Sequence, residues 1–384
     1  MAAERQLIAM ADGPDGPLPD PAALSAVAGT DPSAEVLLGW VVRDPGWLEE
    51  AGGTVTTLMV GAGTRKAVAS GRVRAVATRL SAIPRLLEGR LRPTVAVVGA
   101  YEDKGGRWRL AGSPGWALSA ARAAGGVVIE RWPHPPPPGR HVLPDCRVLG
   151  VYDRGDPPDP PPANREEGEH RVIGRLVAGL IPDRATVQWG PGSIGAAVVA
   201  ALDRPVRVRS GLVTDELVDL AGRGLLIGAA EAAYLWGGPG LQEMVASGRL
   251  RLREIDHTHD LTAISACPRF VAVNTAVQVG LDGSVNVERV GGRTVAGPGG
   301  HPDFAAGASR SPGGLSVVAL VSTAGGRSTI VASPEVVSTP RSDVDVVVTE
   351  HGVADLRGCS DTERAERLIA VAAPEHRDGL AGRL

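Results

Sequence analysis

Residues Gly190-Pro191-Gly192-Ser193-Ile194-Gly195 spell G-x-G-x-x-G between an apolar run ending at Trp189 and a helical run beginning near Ile194. Such a turn presents main-chain N–H groups at a helix start, which suits a phosphate or another anion. A dinucleotide would also need an acidic residue at the end of the next strand. That strand reads Arg207-Val208-Arg209-Ser210-Gly211. An NAD site is therefore not indicated, and the two arginines leave an NADP-dependent oxidoreductase as a third reading.

Other residues have the types that chemistry uses. His257-Thr258-His259-Asp260 has the composition of a metal tetrad, and an H-x-H pair on a strand would put both rings on one face. No third ligand cluster accompanies it, so no metal site is expected. Cys267 before Pro268 has a nucleophile's side chain but no base to partner it. With Cys146 and Cys359 it reads as one of three scattered, reduced thiols. Among the carboxylates, Glu288 precedes Gly291-Gly292 and is a candidate general base. Asp215 after Thr214 is a second candidate or a helix N-cap. Asp303, beyond Gly299-Gly300, faces substrate or shapes its loop.

These residues need a scaffold. Residues 36–40, 55–60 and 94–98 read as buried strands, with helices over 81–87 and 116–124. Proline clusters at 134–138 and 156–162 exclude regular structure there. Beyond them a helix over 166–180 leads into strands at 185–189, 206–209, 270–273, 315–320 and 344–348. Helices at 194–202, 215–222 and 362–372 alternate with these. The rhythm implies an α/β fold of mostly parallel sheets flanked by helices. With 384 residues the chain exceeds one ordinary core. The expected division is an N-terminal arm, partly disordered, at 1–34, a domain at 35–155, a Pro-rich linker at 156–165 and a domain at 166–384. A net charge of −3 without a basic block argues against nucleic acid. No long apolar run or signal-peptide layout is seen, so a cytoplasmic protein is expected.

One string of segments is more specific than any of these motifs. Val271-Ala272-Val273-Asn274-Thr275-Ala276 is followed by Leu281-Asp282-Gly283-Ser284-Val285-Asn286-Val287-Glu288 and then Gly291-Gly292. Next come Gly297-Pro298-Gly299-Gly300-His301-Pro302-Asp303-Phe304, Ser338-Thr339-Pro340-Arg341-Ser342-Asp343-Val344-Asp345, and Val348-Thr349-Glu350-His351-Gly352-Val353-Ala354-Asp355-Leu356-Arg357-Gly358. In this order they resemble the acetyl-CoA hydrolase/4-hydroxybutyrate CoA-transferase family. The likeness is strong over 171–378 and modest over 35–150. It implies two class I CoA-transferase-like α/β domains with a site in the cleft between them. Acyl-CoA would be the substrate, with a small carboxylate as its partner and no permanently bound cofactor. A homodimer or larger homo-oligomer is also implied.

The resemblance further implies a glutamate that attacks the thioester and then carries CoA. The matching stretch is Arg209-Ser210-Gly211-Leu212-Val213-Thr214-Asp215-Glu216, and Gly211 occupies the glutamate's place. Gly190, Gly192, Ser193, Gly297, Gly299, Gly300 and Asp303 would hold CoA or substrate. The expected function is acyl-CoA processing, by CoA transfer or hydrolysis, without the usual nucleophile. The alternative is a non-catalytic acyl-CoA-binding or regulatory protein. A glutamate introduced at 211 is expected to aim a carboxylate at the cleft.

Overall fold

A computed structural model describes residues 6–10, 12–133, 141–164 and 168–383. The chain forms two compact units. The first comprises Met1–Pro160, Ala233–Asp256 and Thr294–Gly299, and the second Pro161–Ala232, His257–Arg293 and Gly300–Leu384. The proline run at 134–138 lies outside the described residues.

In the first unit the strands are β1 (Leu7–Met10), β2 (Glu35–Trp40), β3 (Val55–Met59), β4 (Val73–Ala75), β5 (Val95–Glu102), β6 (Trp108–Leu110), β7 (Gly126–Arg131) and β8 (Val148–Asp153). Their order is β4-β3-β2-β1-β5-β7-β8, with β6 hairpinned onto β5. The strand pairs along that path are parallel. Residues 6–10 and 12–34 are therefore not a loose arm. All four residues of β1 are buried at the middle of the sheet, because a parallel strand covered on both faces must be apolar throughout. The helix Pro21–Ala28 follows, with Asp20 accepting from Ala22 N–H at its start and Gly29 left-handed at its end. Its caps are legible in the sequence, but its Pro- and Gly-rich surroundings conceal it.

The second sheet begins at β9 (Thr186–Trp189) and continues through β10 (Arg207–Val213), β11 (Ala230–Leu235), β12 (Leu250–Leu252) and β13 (Phe270–Thr275). Strands Leu315–Ala319, Val346–Thr349 and Gly352–Asp355 complete it. The order is β12-β11-β10-β9-β13 followed by those three; the pairs from β10 through β9 and β13 to Val346–Thr349 are parallel, and the last pair is antiparallel. Both sheets start in the middle, grow outward on one side, and return to grow on the other. The two halves thus repeat one topology, although the sequence shows no sharp internal repeat. The crevice between β9 and β13, where the direction of growth reverses, is the place where open α/β sheets bind ligands.

Among the described residues, no helix is long and apolar enough to cross a membrane.

Candidate active site

The turn after β9 is built around three glycines. Gly190 N–H donates to Val273 O (2.9 Å), tying the turn to β13. Gly192 sits at φ 109° immediately before the helix Ser193–Ala201, a conformation that L side chains rarely adopt. A β-carbon there would touch nothing within 4 Å, so the turn is open above it. Gly195 is the opposite case: its β-carbon would stand 2.1 Å from Gly190 O. The third glycine of the pattern therefore serves packing, and the second serves backbone shape beside open space.

Beneath the turn, Gln188 Nε2 donates to Asn274 Oδ1 (3.2 Å) across β9 and β13. Both side chains are buried, and Gln188 Oε1 and Asn274 Nδ2 have no partner among the described residues. The strand ends thus hold one buried acceptor and one buried donor. Arg207 and Arg209 donate to the carbonyls of Arg184 and His257.

Gly211 lies near the carboxyl end of β10. It is not among the glycines with positive φ, so its backbone suits any residue. What faces it is the fully buried imidazole of His259. A β-carbon on Gly211 would lie 3.0 Å from His259 Nε2 and 3.4 Å from Phe304 Cε2. On the other side, a β-carbon on Gly300 would lie 2.5 Å from the same Nε2. A side chain at 211 would therefore start against this imidazole, which would have to give by a few tenths of an ångström to admit it.

The histidine segment does not meet the condition under which its two rings would share a face. Residues 257–260 are not a strand. Ile255–Thr258 is a short helix, and Asp260 caps the helix Leu261–Ser265 by accepting from Ala263 N–H. His257 turns to Glu231 (3.2 Å), while His259 Nδ1 meets Thr258 Oγ1 (2.8 Å). The two rings therefore serve separate partners. Among the described residues there is no group of three side chains able to hold a metal. Cys267 Sγ donates a hydrogen bond to Thr186 Oγ1 (3.3 Å).

The remaining candidates divide. Gly300 and the buried Asp303 begin the helix His301–Arg310, beside Gly211 and His259. His301, first in that helix, holds Thr339 Oγ1 through Nδ1 (2.8 Å), and burial pushes its pKa down to about 4. Gly297 and Gly299 fall in the first unit, where their β-carbons would meet Met59 and where Gly299 O accepts from Leu80 N–H. Glu288 accepts from Ser338 Oγ (2.7 Å), which ties it to the loop before Pro340. Asp215 stands exposed at the start of the helix Glu216–Gly222, with helical backbone and no side-chain cap bond.

A profile of the acetyl-CoA hydrolase/transferase C-terminal domain matches residues 241–384. The 4-hydroxybutyrate coenzyme A transferase of Clostridium kluyveri is 31% identical over 345 residues, covering 84% of this chain and 80% of that one. The chain belongs to the acetyl-CoA hydrolase/4-hydroxybutyrate CoA-transferase family. RipA from Yersinia pestis superposes over 99% of this chain and 94% of its own, with a TM-score of 0.87 and 26% identity. A 4-hydroxybutyrate CoA-transferase from Porphyromonas gingivalis shares the fold at a TM-score of 0.78 and 23% identity, over 99% and 93% of the two chains. Membership makes acyl-CoA thioesters, in CoA transfer or acetyl-CoA hydrolysis, the chemistry of the site at family level. His259 and Phe304 stand against Gly211 and Gly300, a placement the sequence did not suggest. Their only signal is the pair of glycines, Gly211 and Gly300, that makes room for them from two distant segments.

Proposed function

We propose that this protein processes acyl-CoA thioesters, by hydrolysis or by transfer of CoA to a small carboxylate, without a glutamyl-CoA intermediate. The observation that carries the reading is Gly211 at the position where the family resemblance places the nucleophile. The turn Gly190–Gly195, at the carboxyl end of β9 and the start of a helix, suits an anionic ligand or an oxyanion. Its open side at Gly192 leaves room for one. The carbonyl of the thioester is then attacked directly, by water or by the acceptor carboxylate, rather than by a side chain at 211. Asp303, Asp215 and Glu288 are the carboxylates proposed to assist, Asp303 being in the first turn of the helix that Gly300 begins. Gly300, in the second unit with the turn, is proposed to line the substrate's path with main chain alone.

The space filled over Gly211 also favours a second reading, a non-catalytic acyl-CoA-binding protein. Release of free thiol from acetyl-CoA, in buffer and with added acetate, decides between the two. Thiol release above the buffer rate supports catalysis. Calorimetric binding of acetyl-CoA without its cleavage supports the binder. Absence of binding at millimolar ligand overturns both.

A further inference from the structure

We propose that His259 determines which acyl-transfer route this site can take. Its imidazole stands against the point from which a side chain at 211 would start, so a glutamate nucleophile there has no room unless the ring moves. The proposal deepens the reading above and rests on it for the identity of the nucleophile's position.

The imidazole is held on every side that the structure describes. Nε2 lies against Gly211 and Gly300, at 3.0 and 2.5 Å from where their β-carbons would be. The ring packs on Phe304 at 4.7 Å between centroids, and Phe304 stacks on Phe270 at 6.1 Å and 9°. Both phenylalanines belong to a buried cluster with Ile264, Ala272 and Ala308. Nδ1 is engaged by Thr258 Oγ1. The flanking chain is fixed by Arg209, which donates to His257 O, and by Asp260, which caps the next helix. A ring in a close-packed interior cannot yield to a larger neighbour without disturbing the cluster behind it. Gly300 has φ −87°, and Gly211 is likewise outside the positive-φ set. Neither position requires glycine for its backbone, so the space left for His259 is what glycine supplies there.

In the covalent route a glutamate oxygen attacks the acyl carbonyl, the C–S bond breaks and CoA leaves as thiolate. The thiolate then attacks the glutamyl carbonyl and expels the acyl group as its carboxylate. Both steps begin from a side chain at 211. With the imidazole there, water adds directly to the thioester carbonyl, CoA departs and takes up a proton, and the products are the free acid and CoA thiol. The acceptor carboxylate can add in water's place. It forms a mixed anhydride that the departing thiolate opens at the acceptor's carbonyl.

A mutant cycle separates the packing claim from the reading beneath it. Gly300→Ala and Gly211→Ala are each expected to lower the melting temperature, and in a His259→Ala background neither should lower it further. Equal losses in both backgrounds overturn the proposal, whatever the activity. If the His259→Ala background does not fold, the His259 ring resonances of Gly211→Ala serve instead: unchanged shifts overturn the proposal and displaced shifts support it. For the route itself, Gly211→Glu/His259→Ala is incubated with acetyl-CoA, reduced with borohydride and digested. A reduced glutamate at 211 in the double variant but not in Gly211→Glu is the expected result. The same adduct in Gly211→Glu alone overturns the proposal. Coupled melting temperatures with no adduct in either variant leave the packing claim standing and overturn the placement of the nucleophile at 211.

Discussion

His259 Nε2 lies 2.5 Å from the point where a β-carbon on Gly300 would stand. Real β-carbons do not come that close, so the identity of one residue depends on that of the other. Because Gly300 has φ −87°, alanine there meets no backbone objection. Gly300→Ala is therefore expected to cost about 1–3 kcal/mol by overpacking alone. Urea denaturation measures it, and a loss below about 0.5 kcal/mol contradicts the packing described.

The glycine turn should respond differently at its second and third glycines. Gly195→Ala places a methyl 2.1 Å from Gly190 O, which forces main chain to move. A loss of roughly 3 kcal/mol or failure to fold is expected. Gly192→Ala meets no neighbour but must adopt φ 109°, costing about 1–3 kcal/mol. Comparison of the two unfolding midpoints checks the order, and Gly192→Ala proving the more damaging would contradict it.

Acid stability should depend on His301. Desolvation lowers its pKa from 6.5 to about 4, so between these values the unfolded chain binds the extra proton. Stability is therefore lost as pH falls from about 6.5 towards 4, by an amount on the order of 3 kcal/mol. His301→Gln removes this titration. The variant should gain on the wild type as pH falls through that window, and a difference constant with pH would contradict the assignment.

A buried carboxyl in the first unit should act in the opposite sense. Asp12 accepts from Trp116 N–H and from Tyr234 Oη, both at 2.8 Å. Burial nevertheless raises its pKa from 3.8 to about 7. The folded state then holds the extra proton, and stability is lost as pH rises from about 4 to 7. Asp12→Asn keeps an acceptor without the charge. It should gain on the wild type as pH rises over that range, and urea midpoints moving the other way would refute the raised value.

The second half of the molecule was the more legible from sequence. Strands such as β9, β10 and β13 are short apolar or alternating runs, β9 closed by Gly190, and they lie close to where their periodicity puts them. The turn at Gly190 was legible because its glycines are adjacent in sequence. β1 was not, because four apolar residues among Pro, Gly and Asp resemble a loose end until their neighbours in the sheet are known. His259 was illegible for a related reason. Its partners Gly211 and Gly300 lie 48 residues before it and 41 after it, and a glycine's missing side chain leaves no pattern to read. The spacing of His257 and His259 would put both rings on one face only in a strand; a short helix and a turn aim them at separate partners instead.

The central claim is that acyl-CoA is processed here without a carboxylate on β10 becoming acylated. The most direct measurement is the intact mass of the wild-type protein during turnover of acetyl-CoA, taken before and after borohydride reduction, with free thiol followed in parallel. Continuous thiol release with an unmodified and unreduced protein is the predicted result. A CoA adduct, or a glutamate converted by borohydride to its alcohol, would contradict it.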